Sequence, residues 1–210
     1  MEVNLELNKT NLLQIESSQI YREVICSINS SILQDNDEWI FSDKNQLIKK
    51  SSSIDIIHSP FLLDFNNRKI QNYILEDLCN IAINEDNYVN TQKLLCYLEE
   101  YVLGLEWYLP YDIMVKNIDV KSLLKNMISG AVVSEDYMEQ FCEYIKLIAR
   151  MLEIKLIIMV DAMNCFDYNE WKLIEKTAIY EGIYILCIEH FSNYQDGNKI
   201  VIDCDGCRIV

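Results

Sequence analysis

The spacing of apolar residues divides the chain into a strand-rich beginning, a helical middle and a strand-rich end. Alternation of apolar and polar residues predicts a strand over Val3–Leu7, and a second short strand is predicted over Leu12–Ile15. Apolar residues about four apart then predict a helix over Ile20–Ile32, behind a pair of serines that can cap it. Further short strands are predicted over Trp39–Phe41 and Ile54–Ile57.

The middle of the chain is helical in pattern from Asn66 to Leu152, with no segment typical of a strand. Four apolar stripes at helical spacing lie in it. They run over Ile70–Ile81, Leu94–Leu105, Val120–Met127 and Tyr137–Leu152. Gly130 marks a break before the fourth helix, which is predicted to open at Ser134.

Strands return after the helical middle. Lys155–Asp161 and Ile183–Glu189 are apolar runs that predict buried parallel strands. Between them, Asp167–Glu170 has the Asp-x-x-Glu form of a capping box, and Gly182 is suited to the end of the helix it opens. A terminal hairpin is predicted around the turn residues Asp205 and Gly206.

This order of elements predicts an α/β protein with a mainly parallel sheet and an inserted all-helical arm. The strand-rich ends, residues 1–62 and 153–210, are predicted to share one sheet as a head domain. Residues 63–152 are predicted to form the arm. Because long helices that leave a small sheet domain bury little surface per residue, we expect the arm to pack on another subunit.

Composition limits the cellular setting of the chain. Its 210 residues are 50% hydrophobic, which is typical of a globular protein and not of a disordered one. No apolar run approaches the roughly 20 residues of a membrane helix, and the N-terminus does not resemble a signal peptide. The eight cysteines are scattered, so we expect free thiols in a reducing cytoplasm.

The charge of the chain restricts how it can contact nucleic acid. A formal net charge of −15 argues against nucleic acid covering the whole surface. A DNA-binding patch must therefore be local, or be built by several copies in an assembly. Lys121 and Lys125 lie four apart on one helix face, which is either a solvated face or part of such a patch.

Sequence motifs for phosphate and metal chemistry are weak or missing. The five glycines form neither Gly-x-x-x-x-Gly-Lys nor Gly-x-Gly-x-x-Gly, which argues against ATP-driven chemistry of the common type. Asp161, Glu189 and Asp203 each end a predicted strand, where open α/β sheets place ligands. They could hold Mg²⁺ in a nuclease or nucleotide hydrolase, or they could simply cap turns and face solvent, which is the more common role.

The histidines and the terminal cysteine pair have structural and functional interpretations. His58 and His190 follow predicted strands and could serve in acid–base chemistry, although a hydrogen-bonded structural role is more common. Cys204 and Cys207 form one Cys-x-x-Cys, but a structural zinc needs four ligands and the chain has no second pair. Acids near the loop Leu109–Asp112 could bind Ca²⁺, without EF-hand spacing.

Several segments together resemble the small CRISPR-associated Csn-two family of type II-A systems. The clearest are Pro60–Asn67, Leu109–Asp112 and Lys155–Asp161, followed by the β-α-β pattern of Asp167–Glu189 and the final hairpin. The resemblance spans most of the chain. Length, order of elements and acidity also agree with the family.

The resemblance implies a fold and a function. The family's head is similar to a nucleoside-triphosphatase sheet that lacks the phosphate loop, and it carries an inserted helical arm. Family members form homotetrameric rings that bind double-stranded DNA ends through lysines, with Ca²⁺ supporting the ring. They act without catalysis in spacer acquisition, beside the CRISPR integrase complex and the RNA-guided effector nuclease.

Residues of this chain can be proposed for calcium binding and for DNA binding. Asp112 lies in a matched segment, and its acidic neighbours in the sequence are added to it, whereas the lysines are chosen by helix spacing. The calcium candidates are Glu106, Asp112 and Asp119, and the DNA-binding candidates are Lys116, Lys121 and Lys125. One alternative function is a metal-dependent nuclease or nucleotide hydrolase that uses the strand-end carboxylates. Another is a scaffolding protein that oligomerises without binding DNA.

Overall fold

The computed structural model describes residues 2–34, 36–43, 46–128, 134–194 and 196–209. Contacts between residues divide the chain into two compact units. The sheet unit comprises Met1–Asp64 and Val133–Val210, and the helical unit comprises Phe65–Val132. No helix in the described ranges combines the length and the apolar character that crossing a bilayer requires.

A parallel sheet of five strands forms the centre of the sheet unit, in the order β4-β5-β6-β1-β7. All four neighbouring pairs are parallel. The strands are β1 (Asn11–Ile15), β4 (Ile54–Ile57), β5 (Leu156–Val160), β6 (Tyr184–Glu189) and β7 (Asn198–Ile202), beside a small hairpin of β2 (Ser42–Asp43) and β3 (Gln46–Leu47). The predicted α/β class with one sheet shared by both ends of the chain is confirmed.

Seven α-helices occur in the described residues. In the sheet unit they are α1 (Ser18–Gln34), α2 (Lys50–Ser53), α6 (Tyr137–Leu152) and α7 (Tyr168–Glu181), and in the helical unit α3 (Arg68–Ala82), α4 (Tyr88–Leu105) and α5 (Val120–Met127). The predicted capping box at the start of α7 is confirmed, because the Asp167 side chain and Glu170 exchange hydrogen bonds with each other's backbone.

Side chains of the sheet alternate between its two faces, as the pleat requires. One face carries Leu13, Ile158 and Leu186, which cluster with Ile28 and Ile32 of α1. A cavity of about 860 Å³ lies within this face, between the sheet, α1 and the segments on either side of α1. The apolar stripe predicted for the first helix is therefore the stripe that packs on the sheet.

Two segments that are predicted to be strands are not strands in the structure. Residues 3–6 have no strand, but Val3 and Leu5 pack against the same apolar cluster. Trp39 is not in a strand either, and its indole Nε1 donates a 2.6 Å hydrogen bond to Ser27 Oγ of α1. In both segments the apolar side chains pack against the apolar cluster, and the Phe41 carbonyl also accepts a 2.9 Å hydrogen bond from the N–H of Ile48, next to β3.

The second boundary between the units differs from the predicted one. The arm is predicted to end at residue 152, whereas the helical unit ends at Val132. Helix α6 lies within the predicted arm but belongs to the sheet unit, where it packs along α7. Its apolar stripe is buried there, with Phe141, Ile145 and Ile148 wholly inaccessible to solvent. A stripe of this kind predicts that a helix is covered, but it does not say by which element.

Candidate functional site

The candidate DNA-binding lysines are exposed on and just before helix α5. Asp119 caps this helix, because its carboxylate oxygens accept hydrogen bonds from the N–H groups of Lys121 at 3.3 Å and Ser122 at 3.2 Å. Lys121 and Lys125 follow one turn apart, and Lys116 precedes the cap. Within the described ranges, none of the three lysines forms an ion pair.

The candidate calcium ligands have local roles in the helical unit. Glu106 Oε1 accepts a 3.1 Å hydrogen bond from the N–H of Ile113, and Asp119 is the cap of α5. Asp112 is exposed. Across the described part of the chain, no three His, Cys, Asp or Glu side chains are grouped so that they could hold a metal ion. Calcium binding by these residues stays a prediction.

Many large apolar residues of the helical unit are exposed. Helix α4 buries only Leu95 of its 18 residues. Its exposed apolar residues include Leu94, Tyr97 and Tyr101, and the segment after it exposes Trp107 by 90% and Tyr108 by 86%. Large exposed apolar patches mark interaction surfaces in soluble proteins.

A second candidate site lies at the carboxyl edge of the sheet, where β5 and β6 end side by side. Val160 pairs with Ile188, so that Asp161 and Glu189 follow adjacent strands. Glu189 is wholly buried, and its Oε1 accepts a 3.0 Å hydrogen bond from the N–H of Met163. Its Oε2 has no hydrogen-bond partner among the described residues.

Burial and a like charge disfavour ionisation at this edge. Burial, reinforced by the negative charge of Asp161, raises the pKa of Glu189 to about 7, although the N–H groups of Met163 and Ala162 oppose the shift. The pKa of Tyr21 is also raised, first by burial of its hydroxyl and then by the adjacent Asp161 carboxylate. Buried Glu189, exposed Asp161 and the Tyr21 phenol therefore lie close enough at this edge to influence one another's ionisation.

The third strand-end acid is not part of this group. Strand β1 lies between β6 and β7, and Asp203 at the end of β7 folds back on its own turn. Its Oδ1 accepts hydrogen bonds from the N–H groups of Asp205 at 3.0 Å and Cys207 at 2.7 Å. The turn-capping interpretation of Asp203 is confirmed. Among the described residues the predicted terminal hairpin is present as an antiparallel bridge between Ile202 and Arg208, flanked by 2.9 Å backbone hydrogen bonds from Asp203 N–H to the Cys207 carbonyl and from Ile209 N–H to the Val201 carbonyl.

Both histidines are held by hydrogen bonds. The His190 ring lies between the Ile15 carbonyl, 2.7 Å from Nδ1, and the Ser18 hydroxyl, 3.2 Å from Nε2. His58 Nε2 lies 3.1 Å from Asn29 Oδ1. These contacts agree with structural roles.

Two features of these sites were missed by the sequence analysis. Tyr21 lies beside Asp161 because it occupies the first turn of α1, directly after β1, and its position in that turn was the available signal. The exposure of Trp107 and Tyr108 had no signal, since apolar residues at the end of a helix ordinarily predict burial.

The connection between β1 and α1 has no room for a phosphate-binding loop. Only Glu16 and Ser17 separate the strand from the helix, and the N–H of Glu16 donates a 2.9 Å hydrogen bond to the Ile202 carbonyl. A glycine-rich loop normally occupies this first β-α turn in dinucleotide-binding sheets. The structure agrees with the missing phosphate-loop motif in the sequence.

Comparisons with known proteins leave the function of the chain open. No protein-family model matches it, and no curated protein matches it in sequence. A solved structure from Pyrococcus furiosus, assigned as an ABC transporter ATP-binding protein, is similar with a TM-score of 0.42 and 7% identity. The alignment covers 98% of this chain and 88% of that chain. A likeness this distant carries no argument about function.

Proposed function

We propose that this chain is a non-enzymatic protein that binds double-stranded DNA ends as a homotetrameric ring. The observation that carries the proposal is the group of Lys116, Lys121 and Lys125, exposed within one short segment and without ion pairs in the described structure. Unpaired cations are the groups that can neutralise phosphates, in contacts that do not depend on base sequence. Exposed cations of this kind can contact DNA on a protein whose net charge is negative.

Self-association is supported by helix α4. Helix α4 is rich in apolar residues and exposes Leu94, Tyr97 and Tyr101, and exposed apolar patches mark interaction surfaces. A buried aromatic side chain removes about 150–250 Å² from solvent, and a stable interface needs about 800 Å² on each partner. A few such residues therefore supply much of one interface, and a second copy of the chain is the proposed occupant.

The biological setting of the proposal comes from the sequence resemblance to the Csn-two family. It supports a role in CRISPR spacer acquisition, with the integrase complex and the RNA-guided effector nuclease as partners. It also supports Ca²⁺ as the ion that stabilises the ring. The head is proposed to be related to nucleoside-triphosphatase sheets, and the short β1–α1 connection is consistent with loss of the phosphate loop.

Size-exclusion chromatography with light scattering tests the proposal, with Ca²⁺ or EDTA and with linear or covalently closed circular duplex. We expect a calcium-supported tetramer that retains intact linear DNA, because a closed circle cannot thread a preformed ring. Lys125→Glu should weaken retention, while Lys176→Glu, the same charge change at an exposed lysine of α7, should not. A monomer that ignores both DNAs would contradict the proposal.

A metal-dependent hydrolase is the second candidate function. The observation that favours it is the meeting of Asp161 with buried Glu189, whose Oε2 lacks a hydrogen-bond partner among the described residues. These two carboxylates would hold the ion, since Mg²⁺ is often bound through one or two carboxylates and several waters. Mg²⁺-dependent cleavage of DNA or nucleotide, abolished by Asp161→Asn and retained in Asp203→Asn, would establish it.

A further inference from the structure

The cavity of the sheet unit is lined mainly by apolar side chains. Leu13 and Leu186 line it from the sheet, and Val24 and Ile28 line it from α1. Trp39, from the segment after α1, also lines it. Leu13, Ile28 and Leu186 are buried, so the deep part of the cavity is shielded from bulk water.

A space of about 860 Å³ is unusual within a folded unit, because protein interiors are packed as closely as organic crystals. An apolar cavity that stays empty destabilises the fold in proportion to its volume. Water fills such a space poorly, since a buried water needs about two to four polar partners and these walls consist mostly of carbon. The walls are therefore suited to an apolar molecule.

The size and the walls of the cavity suit a small molecule and not a segment of another protein. Small-molecule sites typically measure about 300–1,000 Å³. Besides the sheet and α1, the cavity is lined by Val3 and Leu5 of the N-terminal segment and by Trp39 and Phe41 after α1. Four parts of the chain therefore bound the space, whereas a helix from a partner needs an open groove.

Carboxylates outnumber cations among the residues that line the cavity. The charged residues of the lining are Glu2, Glu38, Asp43 and Lys155, and Lys155 Nζ lies 3.9 Å from Asp43 Oδ2. Glu2, Glu38 and Lys155 are exposed, so the charges lie where the cavity meets solvent. Because three of these four side chains are carboxylates, they would repel the head of a fatty acid or a phosphate ester.

We propose that this cavity is a binding site for an uncharged, elongated apolar molecule of the size of a medium-chain alcohol. Its hydrocarbon chain lies between α1 and the sheet, and its polar end lies at the mouth, where Asn4 and Ser42 line the cavity. The lining residues all belong to the sheet unit. The inference is therefore independent of the DNA-binding function proposed for lysines of the helical unit.

Equilibrium dialysis of hexanol, octanol and decanol against the whole chain tests the proposal. We expect the affinity to rise about fourfold for each added methylene, because each methylene that leaves water for an apolar site makes a similar contribution to binding. Decanoate has the same chain length as decanol and carries a negative charge. It should bind about 10-fold more weakly than decanol, because the carboxylates at the mouth repel it.

Two variants test whether the alcohol occupies the cavity. Val24→Phe and Leu5→Phe each place a larger side chain in the lining and should weaken decanol binding by about 10-fold, since room for two methylenes is worth about fourfold each. Val201→Phe is the matched control. Val201 is half-buried on β7 and, by the alternation of the strand, faces away from the side on which Ile202 lines the cavity, so decanol binding should be unchanged. Circular dichroism shows whether each variant is folded.

Three results would overturn the inference, and the first two do not depend on any variant. Absence of alcohol binding, or an affinity that does not change with chain length, would show that the cavity takes no hydrocarbon chain. Decanoate binding as tightly as decanol would show that the site does not select uncharged molecules. Full affinity for decanol in folded Val24→Phe and Leu5→Phe would place the alcohol elsewhere, such as on the exposed apolar residues of α4.

Discussion

The Tyr144 hydroxyl donates a 3.0 Å hydrogen bond to Asp55 Oδ2, which joins helix α6 to strand β4. The pKa of Tyr144 is raised, first by burial and then by the negative charge of Asp55, so the phenol keeps the proton that it donates. This bond links residues 89 positions apart in the sequence. It is one physical reason that α6 is part of the sheet unit.

Removing the hydroxyl tests this link. Tyr144→Phe deletes the donor and leaves the ring in place, so the free energy of unfolding should fall by about 0.5–1.5 kcal/mol, the net worth of a typical hydrogen bond. Urea denaturation measures the change. Tyr180→Phe, an exposed tyrosine on α7, should stay within about 0.5 kcal/mol of the unaltered protein.

Helix α6 also shows which properties of an element the sequence predicts and which it does not. Its position and apolar stripe were predicted well, because both are local properties of spacing. Its membership of the sheet unit was not predicted, because that depends on α7 and β4, which are distant in sequence. The same holds for Val3 and Leu5, whose alternation predicted a strand without showing whether a neighbouring strand was available to pair.

For the strand-end acids too, local sequence predicts some properties, and others depend on residues distant in the sequence. The sequence predicts that each acid follows an apolar strand. Asp161 lies near Glu189 because β5 and β6 are adjacent strands. The separation of Asp203 depends on strand order, since β1 lies between β6 and β7. The sequence contains no direct signal for that order, nor for the burial that raises the pKa of Glu189.

Two glycines should respond in opposite directions to the same substitution. Gly182 ends α7 with φ of +72°, a conformation that costs a residue with a side chain about 1–2 kcal/mol, so Gly182→Ala should destabilise the protein. Gly104 lies within α4 and has open space around its Cα, so Gly104→Ala should stabilise it by up to about 1 kcal/mol. Urea denaturation of both variants is the measurement, and equal signs would contradict the expectation.

The stability of the sheet unit should depend on pH through Glu175. Burial alone would raise the pKa of Glu175, but hydrogen bonds from Lys172 and from the N–H and hydroxyl of Thr10 outweigh it, and the pKa is lowered. A carboxyl whose pKa is lower in the folded state stabilises that state above its unfolded pKa. The contribution is lost as the pH falls through the folded value.

Glu175→Gln should therefore lower the free energy of unfolding at pH 7, and its difference from the unaltered protein should narrow as the pH falls below about 4. Urea denaturation at pH 7 and at pH 3 measures both differences. The control is Glu143→Gln, an exposed glutamate on α6, which should have little effect at pH 7. A difference that is equal at the two pH values would contradict the role assigned to Glu175.

Salt dependence should separate lysines that contact DNA from lysines that do not. The logarithm of the binding constant falls linearly with the logarithm of salt concentration, with a slope of about −0.9 for each phosphate neutralised. Lys121→Gln should reduce this slope by about 0.9 for each copy in contact with the duplex, whereas Lys176→Gln should leave it unchanged. Titrations of one linear duplex at several salt concentrations give both slopes. If Lys121→Gln weakened binding at a single salt concentration but kept the full slope, the lysine would act on folding or assembly and not on a phosphate.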